Sequence, residues 1–374
     1  MSKQKTICVF APVHPHRDIR VFQKEARTLA KAGYRVILLA HGDESIIEDG
    51  VELSPLFYNS RWQRFLLQPV FLQKILSTGA NAIHIHNPDT LFVGCALKIL
   101  GKKVVYDTHE NFEMLIPTRT WVPGPLKKPL ATMVDLMERF AGRVFDNVVV
   151  TQFSQKEKIG DRTVLIENSP ITEGSLIDEA FENAKKHERG DYLRVVYPGL
   201  LNAERGLFSM IEAMEMLNRT TPARLWLMGL EGDDTVIPRA KKLPGWRYVD
   251  YLGLKKQADA FSYMVAADVG LVVFLPEADN EVLNPNKLFE YQRFATPFVA
   301  SDFKVWRDYL KNVDSGIWVD PTSVEAVAKA LRWIAEHPKK AKTLGERGQR
   351  FVLDEYNWEK ESQKLLQLYE RLLG

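Results

Sequence analysis

The sequence predicts two doubly wound α/β domains facing each other across a cleft. Short runs rich in β-branched and aromatic residues alternate with stretches of helical period along the chain. Continuous apolar strands separated by helices belong to parallel sheets covered on both faces. The alternation lapses around residues 171–192 and then restarts. At 374 residues the chain is also longer than most single cores, which favours two domains.

In the first half, strands are predicted at Thr6–Ala11, Arg35–Ala40, Asn81–His86, Lys103–Asp107, Asn147–Thr151 and Thr163–Glu167. Between the first two, Asp18–Ala32 carries Ile19, Phe22, Ala26, Leu29 and Ala30 on one helical face, and Gly33 ends it. The polar stretch ITEGSLIDEAFENAKKHERGDY reads as a solvated connection between domains. Beyond it, strands are predicted at Arg194–Pro198, Leu225–Gly229, Arg247–Leu252, Val269–Leu275, Phe298–Ser301 and Gly316–Val319. Helices fit Leu207–Leu217, Gln257–Ala266, Asn286–Phe294 and Val324–Ala335, and two more close the chain at about 338–351 and 358–373. The domains expected are 1–185, 186–355 and a terminal helix 356–374.

Composition excludes several classes. A formal net charge of +2 is far below that of a general nucleic-acid binder. Cys8 and Cys95 each lie in an apolar run, as buried thiols of a reducing compartment do, not as a disulfide or metal pair. The opening MSKQKTICVF is too short in apolar residues for a signal peptide, and no run reaches the roughly 18–20 residues of a membrane span. A cytoplasmic protein is expected.

In open parallel sheets, ligands sit beyond the carboxyl ends of the strands. Two strand-to-helix junctions of the second half carry unusual chemistry there. In YPGLLNAERGLFSMIEAM the strand ends at Pro198-Gly199, and a helix opens near Gly206 with Arg205 at its entrance. Helix N–H groups and a guanidinium suit a phosphate, although a surface capping arginine has the same local pattern. In NPNKLFEYQRFATPFVASD, Asn284 is placed to cap a helix with Pro285 at its first position, which sets Lys287 and Glu290 on one face. A lysine there opposes the helix dipole unless an anion is bound, and a carboxylate suits vicinal ribose hydroxyls. A local Lys287–Glu290 ion pair is the plainer reading of the same spacing.

The run PNKLFEYQRFATPFVASD resembles the nucleotide-sugar site of retaining glycosyltransferases of family 4, which have the GT-B fold. GLLNAERG is similar to that family's phosphate loop, LMGLEGDD to its G-x-x-G turn at Gly229 and Gly232, and AADVGLVVFLP to the strand before the donor site. In the first half, HRDIRVFQKEARTLAKAGYRVILLA resembles the opening helix and second strand, and VVYDTHENFE the segment that places a histidine, here His109, in the cleft. EYNWEKESQKLLQLYERLL resembles the terminal helix that crosses back to the first domain. Two positions depart from the pattern: Val282, beside Glu281, stands where the family often has its first glutamate, and Leu200 where many relatives have a second basic residue.

The resemblance implies metal-independent transfer of a sugar, with retention, from a nucleotide diphosphate donor to a hydroxyl of a glycan or lipid-linked acceptor in surface polysaccharide or glycoconjugate synthesis. No cofactor is implied beyond the donor, with UDP or GDP as its nucleotide. Donor contacts fall on Gly199, Arg205, Gly229, Asn286, Lys287, Leu288 and Glu290, with Arg205 and Lys287 on the diphosphate and Glu290 on the ribose. His109 is expected near the sugar, and Asp18 is the residue placed to act as a base if one is used. His14, His16, Arg17 and Arg20, from PVHPHRDIR, are expected to hold the acceptor, helped by His84 and His86. A zinc site among these histidines lacks ligand spacing, and Asp233-Asp234 reads as a polar turn, so no metal is expected.

Residues 61–76 and 115–143 interleave Trp, Phe and Leu with basic residues, a pattern that suits either an anionic membrane surface at the inner face or ordinary core-facing helices. A sugar-nucleotide epimerase on the same fold, and a non-catalytic partner protein, are the competing functions.

Overall fold

A computed structural model describes residues 4–118, 122–277, 280–284, 286–311 and 313–374. The chain divides into two compact units, Met1–Asn168 with Trp358–Gly374, and Ser169–Asn357. The division falls at residue 168, not near 185. Helix Ser175–Ala184 turns Ile177 and Ala180 into the second core and packs on helix Gln257–Ala266. A segment read as a polar connection is therefore a half-buried helix.

The first unit holds β1 (Thr6–Pro15), β2 (Arg35–His41), β3 (Ile46–Glu48), β4 (Val51–Leu56), β5 (Ala82–His86), β6 (Lys103–Thr108), β7 (Asn147–Val150) and β8 (Thr163–Leu165). Their order is β3-β4-β2-β1-β5-β6-β7-β8, parallel except for the β3–β4 pair. The β3–β4 hairpin was not predicted, yet its signal is present. Asp49-Gly50 takes positive φ at both positions (50° and 79°), the turn that matches strand twist. Strand β1 outruns its predicted end because Pro15 pairs with His41 beyond a bulge. The terminal helix Trp358–Leu373 is fastened to this unit by Trp358 Nε1 donating to Thr28 Oγ1 (3.0 Å) and Lys5 Nζ to the Leu373 carbonyl (2.7 Å).

The segment after β1 winds as a π-helix over Ile19–Ala26 before Arg27–Lys31 becomes α-helical. Bonds of the i→i+5 type, such as Gln23 N to Asp18 O (3.1 Å), rotate the buried face away from the one that a 3.6-residue period predicts. Ile19 and Ala30 are left partly exposed, while Arg20, Lys24 and Glu25 turn inward. This rotation gives the first unit a charged interior.

Glu138, on helix Gly124–Val144, is buried and accepts hydrogen bonds from Tyr106 Oη (2.8 Å) and Thr108 Oγ1 (2.6 Å). Burial pushes its carboxyl up to about 7 despite those bonds. Between an unfolded value near 4.5 and 7, the folded chain holds a proton that the unfolded chain has lost, so stability falls as pH rises through this window. Glu138→Gln keeps the acceptor oxygen and removes the ionisation. It is expected to gain about 1–3 kcal/mol at pH 8 and almost nothing at pH 4. Denaturant midpoints at the two pH values check this, and an equal shift at both would contradict it.

The second unit holds β9 (Leu193–Pro198), β10 (Ala223–Met228), β11 (Val249–Gly253), β12 (Val269–Val272), β13 (Phe298–Ser301) and β14 (Gly316–Val319), all parallel, in the order β11-β10-β9-β12-β13-β14. Chain direction across the sheet reverses between β9 and β12. Their carboxyl ends therefore flank the crevice where doubly wound sheets take ligands. Helices Leu207–Leu217 and Gln257–Ala266 have the predicted bounds, because their apolar faces repeat cleanly and no charged residue turns inward.

Candidate functional site

At that switch point, the loops after β9 and β10 are laced together. Gly199 N donates to Met228 O (2.9 Å), Leu201 N to Leu230 O (2.8 Å) and Gly232 N to Leu201 O (2.9 Å). The lacing brings backbones so close that a Cβ on Gly229, whose φ is 142°, would lie 1.7 Å from the Gly199 carbonyl oxygen. Gly206, at φ 77°, forms the N-terminal boundary of helix Leu207–Leu217, and a Cβ there would lie 2.0 Å from Val273 O. Neither position accepts a side chain.

The loop after β12 clamps the same region. Leu275 N and Asn280 Nδ2 both donate to the Glu204 carbonyl (2.9 and 3.0 Å), and Asn280 is buried. This fixes the residue before Arg205. The Arg205 guanidinium lies 4.3 Å from the centroid of the Phe274 ring. Lys287 Nζ lies 5.9 Å from that ring and 5.8 Å from Tyr197. A Cβ placed on Gly199 would stand 2.8 Å from Lys287 Nζ, so the ammonium lies directly over the glycine.

Two cations thus share one aromatic floor, close enough for Arg205 to act on the Lys287 ammonium. Burial pushes the Lys287 ammonium down to about 8, with Glu290 raising it and Arg205 lowering it further. Such a site is electrostatically unfinished, and an anion would complete it. Leu288 is buried beneath it, while Asn286 and Glu290 are half-buried. Asn284 does not cap the helix. Its amide donates to Tyr356 Oη (2.8 Å) and its Oδ1 accepts nothing. Pro285, predicted at the first helical position, lies outside the described residues.

The carboxyl edge of the first sheet collects the other predicted residues. Asp18 Oδ1 accepts from the N–H groups of Arg20 and Val21 (2.9 Å each), while Oδ2 meets His14 Nδ1 at 3.0 Å. Burial works against the Asp18 charge, but His14 and the backbone donors outweigh it and bring the carboxyl down to about 2. A carboxylate so occupied is a weak proton acceptor in the free protein.

Burial likewise disfavours the His14 imidazolium, yet Asp18 outweighs it and raises the ring above its ordinary value. His14 Nε2 meets Asn87 Oδ1 at 2.9 Å, so both ring nitrogens are engaged within the protein. His16 is buried against Gly42, and Arg20 is buried between Asp107 (2.7 Å) and Glu25 (3.0 Å). Both were expected at an exposed acceptor site, and the π-helical turn takes Arg20 away from it. Arg17 stays exposed, paired with Glu48 at 2.7 Å. His84 and His86 are fully buried on β5 and contact no solvent. His109 follows β6, with its ring 5.1 Å from His14 and Nδ1 3.5 Å from Asp107 Oδ1.

Residues 20–167 match the family model described as Glycosyltransferase Family 4, and residues 178–351 match Glycosyl transferases group 1. The chain belongs to glycosyltransferase family 4.

This family 4 member is 23% identical to the phosphatidyl-myo-inositol mannosyltransferase of Mycolicibacterium smegmatis over 93% of its own length and 88% of the relative's. It is 23% identical to the glycogen synthase of Mycobacterium tuberculosis over 67% of its own length, and the match spans 59% of that relative. Among solved structures, sucrose-phosphate synthase from Thermosynechococcus elongatus superposes with a TM-score of 0.77 at 20% identity, covering 99% of both chains. Anabaena HepE, solved with UDP-glucose, gives 0.71 at 15% identity over 98% of this chain and 99% of that one. These likenesses establish the GT-B fold for the family 4 chain.

Phe274, Tyr197 and Asn280 were not singled out in the sequence. An aromatic floor and a buried asparagine clamp look like ordinary core and loop residues until the β9–β12 switch point brings them together. Glu281 and Val282, at the departure from the family pattern, are both exposed.

Proposed function

We propose that this protein transfers a sugar from a nucleotide diphosphate sugar to a hydroxyl of a glycan or lipid-linked acceptor, with retention of anomeric configuration and no cofactor or metal in the transfer step. The observation that carries the reading is the convergence of Arg205 and Lys287 over Phe274 at the β9–β12 switch point. Departure of a nucleoside diphosphate leaves negative charge on its oxygens as positive charge grows at the anomeric carbon. Cations fixed beforehand stabilise that charge without reorganising. Lys287 and Arg205 hold the diphosphate, helped by the N–H groups at the start of helix Leu207–Leu217. Glu290 accepts from the ribose. His109 serves the transferred sugar. The leaving phosphate oxygen takes the proton of the attacking hydroxyl, in line with both Asp18 oxygens being engaged by His14 and backbone N–H groups. UDP or GDP is the expected nucleotide, in line with HepE having been solved with UDP-glucose. Assays of labelled nucleotide sugars with and without acceptor test the reading. Sugar joined to acceptor supports it, whereas acceptor-free interconversion of donors would replace it with epimerisation.

A membrane-borne acceptor has support in one surface. Residues 61–77 form two short helices, Arg61–Leu66 and Gln68–Ser77, that bury Phe71 and Ile75 and leave Trp62 (80% exposed), Phe65, Leu66 (79%) and Val70 facing out. No helix among the described residues is long and apolar enough to cross a membrane. Interfacial docking is expected to show as co-sedimentation with anionic vesicles at low salt, reduced severalfold by Trp62→Ala with Leu66→Ala. Equal sedimentation of the variant, or none of the native protein, would remove this surface from the account.

A further inference from the structure

Inside the first unit, the carboxyl edge of β5 and β6 closes over a charged cluster that the transfer chemistry does not use. Arg20, Glu25, His84, His86 and Asp107 are all 5% exposed or less. Their arrangement follows from two local rules. His84 and His86, two apart on β5, face the same side and stack at 4.7 Å, and the parallel register sets Asp107 beside His86. The π-helical turn delivers Arg20 and Glu25 from above.

The cluster is incomplete in two independent ways. Both ring nitrogens of His84, both of His86 and the Oε2 of Glu25 are buried without a hydrogen-bond partner, as is the hydroxyl of Tyr369 from the terminal helix. Native interiors seldom leave such groups unserved. The charge does not balance either. Two carboxylates, Glu25 and Asp107, share the single guanidinium of Arg20, and the nearby Asp18 is already matched by His14. The carboxylates outnumber the guanidinium, an excess of negative charge that a cation would offset.

We propose that Glu25, His84 and His86 bind a transition-metal dication, with Zn²⁺ the species their nitrogen and carboxylate ligands suit best. The three ligand atoms lie within 4.8 Å of one another. His86 Nε2 and Glu25 Oε2 are 3.4 Å apart, close to the roughly 3.3 Å edge of a tetrahedron with Zn–ligand bonds of about 2.0–2.2 Å. Asp107 could join a second set with His86 and His109, but its Oδ2 is held by Arg20 at 2.7 Å and that set shares His86. The Glu25 set is the more buried, so no substrate position opens on it, and the ion acts as a staple. Tyr369, whose ring lies 6.0 Å from that of His84, places the terminal helix over the staple. The competing occupant is a proton on Glu25 with ordered water. This inference does not depend on the transferase reading, because neither Arg205 nor Lys287 takes part.

The test uses full-length protein made without a histidine tag, stripped with a chelator, exposed to Zn²⁺ or Co²⁺ and desalted. About one equivalent of metal per chain is expected, with visible Co²⁺ absorption bands and a melting temperature that falls on stripping and returns with Zn²⁺. His84→Gln with His86→Gln should abolish retention. Should that variant not fold, Glu25→Gln alone is expected to weaken binding at least tenfold, while His14→Gln leaves it unchanged. Folded native protein that retains no metal and melts at the same temperature with and without Zn²⁺ would overturn the proposal and leave a proton on Glu25 to offset the excess negative charge.

Discussion

Lys287→Ala is expected to lower kcat of sugar transfer by about 10²–10³-fold and to weaken nucleoside diphosphate binding, with the fold intact. Lys287 reaches the site from a helix whose Leu288 and Phe289 anchor in the core, so truncating it leaves that apolar anchor in place. What is lost is one of two cations over Phe274. Arg205→Ala should cost a similar factor. The double variant should fall short of the product of the two, because both groups act on the same diphosphate.

The ammonium also sets a pH dependence. Lys287 is charged below about 8 in the free protein, so diphosphate affinity should be level below that pH and decline above it. Binding restores the charge, and calorimetry in buffers of different ionisation heat should register proton uptake above pH 8. Equal affinity at pH 7 and pH 9.5 would take Lys287 out of the anion site.

Gly229→Ala is expected to cost about 3–5 kcal/mol and to remove diphosphate binding together with stability. The added Cβ would meet the Gly199 carbonyl carbon at 2.6 Å as well as its oxygen at 1.7 Å, and backbone in a laced loop cannot retreat cheaply. Gly199→Ala makes the informative contrast. There the nearest atoms are Cε and Nζ of Lys287, at 2.4 and 2.8 Å, the far end of a flexible chain. That variant should melt within a few degrees of native, yet lose activity as the ammonium is pushed aside. Thermal melts paired with binding assays on both variants separate the two effects. A stable, active Gly229→Ala would mean that the lacing of the loops after β9 and β10 is not needed.

The two parallel sheets were legible because buried strands of four to six apolar residues leave an unambiguous trace, and nearly every predicted strand lies within two or three residues of its observed position. The convergence of Arg205 and Lys287 was legible for a different reason. Arg205, Lys287 and Glu290 sit at helix entrances, where local spacing fixes direction. The first-unit edge was not. Its residue types were picked out, but a π-helix has no sequence period that separates it from an α-helix, and its extra winding turned Arg20 and Glu25 inward. His84 and His86 looked like surface ligands because strand alternation does not reveal which face a doubly covered sheet exposes. Their clustering with Glu25 depends on contacts between elements more than fifty residues apart, which ligand spacing along the chain cannot show.

The most direct measurement is calorimetric titration of the protein with UDP, GDP, ADP, TDP and CMP, repeated on Arg205→Ala and Lys287→Ala. The account predicts selective binding of one nucleoside diphosphate, weakened by each substitution. A folded native protein that binds none of them, or binds one equally well without Arg205 and Lys287, would contradict the placement of the donor at the β9–β12 switch point.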